Sequence, residues 1–142
     1  ERIVADASVI VKWFVAERGT EEALTLRDSY IRGDLELLSP SLIYYEVTNA
    51  LRHHPHYRLT ETELLDAIKA LKGLQILTEP TTEMWLKTFE VSISEKVTIY
   101  DAVYIAMSLV FDAKLVTSDE RLFEKLSEKT RQRVNLLYGL SY

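Results

Sequence analysis

The sequence has no cysteine, and its 142 residues include only four glycines and three prolines. The absence of cysteine excludes disulfide bonds and thiolate metal sites, and it agrees with the cytoplasmic location that we expect. The few glycines and prolines leave little room for long irregular segments. No apolar run approaches the roughly 20 residues of a membrane-spanning helix, and the first residues lack the basic start of a signal peptide. We therefore expect no association with a membrane.

The composition is that of a small globular protein with an acidic surface. Apolar residues make up 47% of the chain, enough for a sizeable core, and the length suits one domain spanning residues 1–142. The 17 basic and 22 acidic residues give a net charge of −5. This charge argues against a nonspecific nucleic-acid coat, but it does not exclude an enzyme that acts on nucleic acids.

Segments with strand-like and helix-like patterns alternate along the whole chain. Short apolar runs predict strands at residues 3–6, 35–38, 74–77, 114–117 and 134–137. Periodicity and capping residues predict helices at residues 8–15, 20–32, 39–54, 61–73, 82–93 and 100–111, with a short helix after 119. Such alternation predicts an α/β fold in which a parallel sheet carries helices on both faces. In folds of this kind, ligands bind beyond the carboxyl ends of the strands.

Three aspartates stand where that sheet would bind a ligand. Asp6 follows the first strand, Asp119 follows the fourth, and Asp101 lies near the start of a helix. Each of them could simply cap a helix or occupy its first turn. Together, however, they would bring several negative charges to one edge of the sheet.

A fourth acid, Glu46, lies inside a helix on an otherwise apolar face that it shares with Asn49. A carboxylate in such a place needs a partner or an ion, and Lys12 is the obvious candidate for an ion pair. If instead all four acids converge, they raise one another's pKa, and a hard divalent cation such as Mg²⁺ or Mn²⁺ resolves the repulsion. Such an ion also binds phosphate oxygens and activates water, as hydrolysis of a phosphodiester requires.

The four acids lie in four short segments, DASVIVKW (6–13), EVTNAL (46–51), TIYDAVYIA (98–106) and TSDERL (117–122). In order and spacing, these segments resemble the signature blocks of PIN-domain ribonucleases, most closely those of VapC-type toxins from prokaryotic toxin–antitoxin pairs. The resemblance covers most of the chain. It implies a single PIN-like domain, a three-layer α/β/α sandwich with a central parallel sheet of four to five strands.

The resemblance also implies a function and a set of site residues. The implied activity is endonucleolytic hydrolysis of RNA with Mg²⁺ or Mn²⁺ as cofactor, by a homodimeric toxin that a cognate antitoxin inhibits. The implied catalytic and metal-binding residues are Asp6, Glu46, Asp101 and Asp119, and the implied polar supports are Ser8, Asn49 and Thr117. Lys12 is a further candidate for a supporting role.

The most basic short stretch is RHHPHYR (52–58). Its histidines flank Pro55 at a predicted helix end with no further ligand nearby, so we expect an exposed loop rather than a metal site. Four of its residues could contact RNA or a partner protein: Arg52, His54, Tyr57 and Arg58. Elsewhere, the apolar residues Met84, Trp85 and Phe89 could form an interface, but we expect them in the core.

Two other functions compete with a nuclease. A phosphatase of the haloacid-dehalogenase type would have a second aspartate at position 8, where this chain has Ser8. A non-catalytic module that binds RNA or protein through the same fold is the stronger alternative, and it predicts that neutralising Asp6 or Asp101 leaves the biological effect intact.

Overall fold

The structure is a computed structural model, and it describes residues 1–138. Its strands are β1 (Arg2–Ala5), β2 (Glu36–Pro40), β3 (Leu77–Thr78), β4 (Lys114–Thr117) and β5 (Val134–Leu136). All neighbouring strands are parallel, and their order in the sheet is β3–β2–β1–β4–β5. The α/β fold with a parallel sheet of five strands is therefore confirmed. The predicted domain extends to residue 142, and residues 139–142 lie outside the described part of the chain.

Eight helices connect and flank the strands within residues 1–138. They are α1 (Ala7–Ile10), α2 (Thr20–Ile31), α3 (Leu42–Arg52), α4 (Glu61–Gly73), α5 (Thr82–Glu95), α6 (Ile99–Val110), α7 (Glu120–Lys125) and α8 (Glu128–Arg131), and a 3₁₀ turn at Val11–Trp13 extends α1. In this part of the chain, none of the helices has the length and apolar character that crossing a membrane requires.

The two central strands are buried on both faces. Ile3, Val4 and Ala5 are consecutive residues with no exposed surface, and Leu115 and Val116 in β4 are equally buried. Since successive side chains of a strand point to opposite faces, a run of this kind requires packing on both sides of the sheet. Helix α6 supplies part of this packing, because it contacts β1, β2, β4 and α5.

The strand order defines the switch point of the sheet. The chain leaves β1 towards β2 and β3 on one side, whereas β4 and β5 lie on the other side. Crevices of α/β sheets form at such a reversal, outside the carboxyl ends of the strands. Ala5 is paired with Val116 in register, so the residues that follow them, Asp6 and Thr117, emerge together at this point.

Three predicted element boundaries are wrong. The helix predicted at 8–15 is α only to Ile10 and then tightens into the 3₁₀ turn. The helix predicted from Ser39 begins at Leu42, because Ser39 still belongs to β2 and its N–H donates to the Ile76 carbonyl at 2.9 Å. The strand predicted at 74–77 is reduced to the short β3, because Gln75 has a left-handed φ of 55° after the end of α4.

The apolar residues of α5 divide between the core and the surface. Met84 is fully buried, whereas Trp85 is 45% and Phe89 is 47% exposed. The prediction that all three lie in the core is therefore wrong for the two aromatic residues. Periodicity places residues on a helix face, but it does not show whether another element covers that face.

Candidate active site

The carboxylate of Asp6 is held by two hydroxyl groups at the switch point of the sheet. Its Oδ1 accepts hydrogen bonds from the Ser8 hydroxyl at 2.5 Å and from the Ser8 N–H at 3.1 Å. Its Oδ2 accepts from the Thr117 hydroxyl at 2.5 Å. Asp6 is thus the N-cap of α1, as one interpretation of the sequence predicts, and it also joins the ends of β1 and β4.

Further hydrogen bonds fix the segment that follows β4. The Ser8 hydroxyl accepts from the Ser118 N–H at 2.9 Å, and the Thr117 hydroxyl accepts from the Asp119 N–H at 3.1 Å. Asp119 caps α7, since its Oδ1 accepts from the Leu122 N–H at 3.0 Å. The second oxygen of Asp119 takes no part in the cap. Ser8 and Thr117 therefore lie where supports of the acids were predicted.

Helices α3 and α6 bring two more acids to this edge. Asp101 lies in the first turn of α6, which Thr98 caps by accepting from the Asp101 N–H at 3.1 Å. Glu46 accepts a hydrogen bond at 2.6 Å from the hydroxyl of Tyr104, which is only 3% exposed. Tyr104 is not among the site residues predicted from the sequence. The spacing could have indicated this role, because Tyr104 follows Asp101 by three residues and therefore lies on the same face of α6.

The pKa values show that the four acids interact. Burial raises the pKa of Asp6 to about 6; the hydrogen bonds from Ser8 and Thr117 oppose this rise, and the charge of Asp119 adds to it. Burial and then the charge of Asp119 raise the pKa of Asp101. Burial and then the charge of Asp101 raise the pKa of Glu46. The acids thus form one connected set with unfavourable negative charge.

Burial, followed by the charge of Glu46, raises the pKa of the Tyr104 hydroxyl. The hydroxyl therefore stays protonated and acts as a donor, in agreement with its contact to Glu46. Asp6 and Asp101 also contribute to the rise, so Tyr104 lies within electrostatic range of three of the acids.

The donor set suits a hydrated hard cation. All four candidate ligands offer carboxylate oxygen, which Mg²⁺ and Mn²⁺ prefer. Among residues 1–138, no group of three or more His, Asp or Glu side chains is arranged as a ready-made metal cage. Mg²⁺ does not require one, because it keeps several waters and uses one or two carboxylates. A bound cation would also favour the ionised forms of Asp6, Glu46 and Asp101, whose pKa values are raised by burial and, to a smaller extent, by neighbouring acids. The residues therefore fit such an ion.

Lys12 pairs with a different acid from the one expected. Its ammonium contacts Glu17 Oε1 at 3.0 Å and is almost fully buried, so the predicted ion pair with Glu46 is wrong. The other oxygen of Glu17 contacts His54 Nε2 at 2.8 Å, and His54 Nδ1 accepts from the His56 N–H at 3.1 Å. Partial burial raises the pKa of Glu17, but the bonds from His54 and Lys12 outweigh it and lower the pKa overall.

The contact between His54 and Glu17 also corrects the prediction that residues 52–58 form an exposed loop. The side chain of His54 is only 6% exposed, so the expectation of an exposed loop is wrong for this residue, and its ring does not face solvent as an RNA contact would require. Tyr57 stays partly exposed and donates to the Ala16 carbonyl at 3.1 Å, and Arg58 is exposed. Arg52 and Asn49 are exposed and line a groove that contains Glu46.

Residues 3–129 match the PIN domain family, and the chain therefore belongs to that family. Among known proteins it is similar to Ribonuclease VapC3 from Pyrobaculum aerophilum, with 31% identity over 129 residues that cover 87% of this chain and 94% of that protein. The family resemblance seen in the four sequence blocks is confirmed.

Two solved structures share the fold. One is VapBC2 from Rickettsia felis bound to a DNA fragment from their promoter, with a TM-score of 0.67 and 9% identity, covering 96% of this chain and 98% of that one. The other is VapC20 from Mycobacterium tuberculosis, a sarcin-ricin loop cleaving toxin, with a TM-score of 0.60 and 12% identity, covering 89% and 97%. At these identities, the likeness shows the fold alone.

Asp6→Asn is expected to stabilise the metal-free protein at about pH 8 and to lose this advantage at about pH 4. Folding raises the pKa of Asp6 from 3.8 to about 6, so the folded state binds this proton more tightly than the unfolded chain does. The resulting stability is complete below pH 3.8 and is lost as the pH rises through about 6. Above that, the wild type carries a buried charge that costs about 3 kcal/mol, most of which the amide avoids.

Urea unfolding in EDTA at both pH values measures this difference. Asp66→Asn, at an exposed position of α4, is the matched control and should behave as the wild type does. If Asp6→Asn is no more stable than the wild type at about pH 8, the buried-charge account of Asp6 is wrong.

Tyr104→Phe is expected to raise the pKa of Glu46 further, because it removes the hydrogen bond that lowers this pKa. It should also destabilise the protein by about 1.5–3 kcal/mol, since the lost bond is to a charged group. An NMR titration of the Glu46 carboxyl group in EDTA measures the first effect. Tyr30→Phe is the control, because it removes an equally short bond, 2.6 Å to the Leu74 carbonyl. An unchanged Glu46 pKa in Tyr104→Phe would exclude this role for the hydroxyl.

Proposed function

We propose that this protein is a Mg²⁺- or Mn²⁺-dependent endoribonuclease and the toxin of a toxin–antitoxin pair. The observation that carries the proposal is the connected set of acids with raised pKa values at the switch point of a parallel sheet. Its similarity to a VapC ribonuclease over most of its length supports RNA as the substrate. We also propose that the protein acts in the cytoplasm. Residues 1–142 form a single domain in this proposal.

In this proposal, Asp6, Glu46, Asp101 and Asp119 together bind the hydrated cation, one or two of them directly and the others through its waters. When bound, the cation supplies charge stabilisation at a phosphate oxygen and lowers the pKa of water in the site. The chain's own part is to fix the acids before substrate arrives. Hydroxyl groups hold both oxygens of Asp6, whereas one oxygen each of Glu46 and Asp119 is fixed by Tyr104 and by the start of α7.

Rigid placement of this kind favours catalysis, because the electrostatic environment needs no reorganisation during the reaction. Asn49 lies one helical turn from Glu46 and is exposed beside it, so we assign it contact with the substrate or with the cation's waters. Lys12 acts at a distance in this proposal, by pairing with Glu17 and tying the segment after α1 to the end of α3.

The proposed activity predicts that the protein cleaves a mixed RNA pool in Mn²⁺ and that EDTA abolishes cleavage. Asp101→Asn should lower the cleavage rate at least about a hundredfold, because it removes one of the charges that hold the cation. Asp66→Asn should cleave as the wild type does, since that acid is exposed on α4. Gel analysis of end-labelled products measures the rates.

Calorimetric titration of the same proteins with Mn²⁺ gives a second readout that does not depend on cleavage. Cleavage that persists in EDTA or in Asp101→Asn would overturn the metal site. RNA binding without cleavage by antitoxin-free wild type would instead favour the non-catalytic module.

We propose an antitoxin as the protein partner. The structural neighbour VapBC2 from Rickettsia felis is a toxin–antitoxin complex, and it was solved bound to a DNA fragment from their promoter. In the present chain, the uncompensated negative charge of the four acids is suited to a basic side chain of an inhibitor, which would relieve the same repulsion as the cation does. An inhibitor bound in this way occupies the site directly.

We further propose that the protein forms a homodimer through α5. Four apolar side chains of this helix are exposed on its outer surface: Trp85 (45%), Leu86 (61%), Phe89 (47%) and Ile93 (79%). A contiguous apolar surface of this kind on a protein with a net charge of −5 is typical of a protein–protein contact. A second copy offers the same surface, which is what a twofold interface requires.

Ile93→Asp is expected to convert the dimer into a monomer, because it places a charge within the apolar contact on each copy. The side chain is 79% exposed, so the substitution should leave the fold of one subunit unchanged. Ile31→Asp, 61% exposed on α2, is the matched control. Light scattering after size-exclusion chromatography gives the mass. A dimeric Ile93→Asp protein, or a monomeric wild type, would exclude the α5 interface.

A further inference from the structure

A groove of about 620 Å³ leads away from the acids between α3 and α4. Glu46 lies in its wall, so the groove is continuous with the candidate active site. The other lining residues are mostly apolar or neutral, with one cation, Arg52. Whatever extends from a phosphate bound at the acids in this direction must lie in this groove.

Two exposed tyrosines line the groove where it meets the acids. Tyr45 is 76% exposed and directly precedes Glu46, and Tyr100 is 61% exposed and directly precedes Asp101. Both also line a smaller apolar cleft of about 250 Å³, which has Trp85 in its wall. The two side chains, on α3 and α6, thus line the same two cavities beside the candidate active site.

The electrostatics of this face limit what can bind there. The acids repel the phosphates of a nucleic acid, and Arg52 is the one cationic residue in the lining of the groove. Stacking on an aromatic ring is an attraction that does not depend on charge, and every base has a face that can stack. Bases can reach such rings only in a single strand, because in a duplex they are stacked on one another.

We propose that Tyr45 and Tyr100 bind, by stacking, the bases of single-stranded RNA next to the scissile phosphate. The proposal rests on the proposed ribonuclease function and adds to it the two side chains that bind the bases of the substrate. Arg52 contacts a phosphate farther along the groove. The acids and the tyrosines then have separate tasks, since the acids carry the reaction and the rings hold the substrate in place.

Binding of a fluorescent mixed-sequence RNA of about 12 nucleotides tests the proposal. It is measured by anisotropy in the Asp101→Asn background with Mn²⁺, so that the probe stays intact. Tyr45→Ala and Tyr100→Ala should each weaken binding of the single strand about 5- to 150-fold, the effect of losing one stacked base. Tyr45→Phe and Tyr100→Phe keep the ring and should bind within about twofold of the parent. The same RNA annealed as a duplex should bind weakly to all of them.

Salt separates stacking from charge. The loss in the two alanine variants should persist as salt rises, whereas the loss in Arg52→Ala should shrink, because only the phosphate contact releases counterions. If an alanine substitution acted only through folding, it would lower the melting temperature. It would also weaken the binding of single-stranded and duplex RNA to the same extent.

Three results would overturn the proposal. The first is equal affinity of the alanine variants and the parent while wild-type protein still cleaves RNA, in which case the ribonuclease function stands without stacking. The second is a loss in the phenylalanine variants as large as in the alanine variants. The third is a dimer that dissociates in Tyr45→Ala or Tyr100→Ala, which would assign this surface to a second copy of the chain. Failure of the wild type to cleave any RNA would instead count against the proposed function.

Discussion

The buried carboxylate of Asp6 receives hydrogen bonds on both of its oxygens, from hydroxyl groups that belong to separate segments of the chain. Burial of an ionised group without such partners would cost several kcal/mol, so the placement of Ser8 and Thr117 is a condition for the site. The bond from Thr117 also joins the beginning of α1 to the end of β4. The carboxyl ends of the central strands and the candidate active site therefore share the hydrogen bonds of Asp6.

A site built in this way holds negative charge that the protein itself does not neutralise. The hydrogen bonds to Asp6 and Glu46 lower their pKa values, but burial and the neighbouring acids raise them by more. A divalent cation and a basic side chain of an inhibitor would both remove this imbalance. In the proposed function, the cofactor and the antitoxin thus compensate the same negative charge. The substrate is held in addition by the two tyrosines next to the acids and by Arg52.

Much of the fold could be predicted from the chain because its central strands are continuous apolar runs and its helices carry clear capping residues. Thr60 and Glu63, for instance, have the residue types and the spacing of a capping box, and they form one at the start of α4. The position of the edge strand β3 could not be predicted, because two residues are too few to show an alternating or apolar pattern. Leu77 and Thr78 form a strand only because they pair with Ser39 and Pro40 of β2. A two-residue strand is a property of the sheet and not of its own residues.

The sequence by itself determined which acids follow strands β1 and β4 and which share a helix face with other polar residues, since spacing along one element decides its neighbours. Only the tertiary structure decided how polar groups from different elements pair. In the folded protein, Lys12 forms an ion pair with Glu17, and Tyr104 donates a hydrogen bond to Glu46. The apolar face of α5 is not covered by other parts of residues 1–138. The physical reason is that such contacts depend on how helices dock on the sheet, which is set by packing of the whole core and leaves no local pattern.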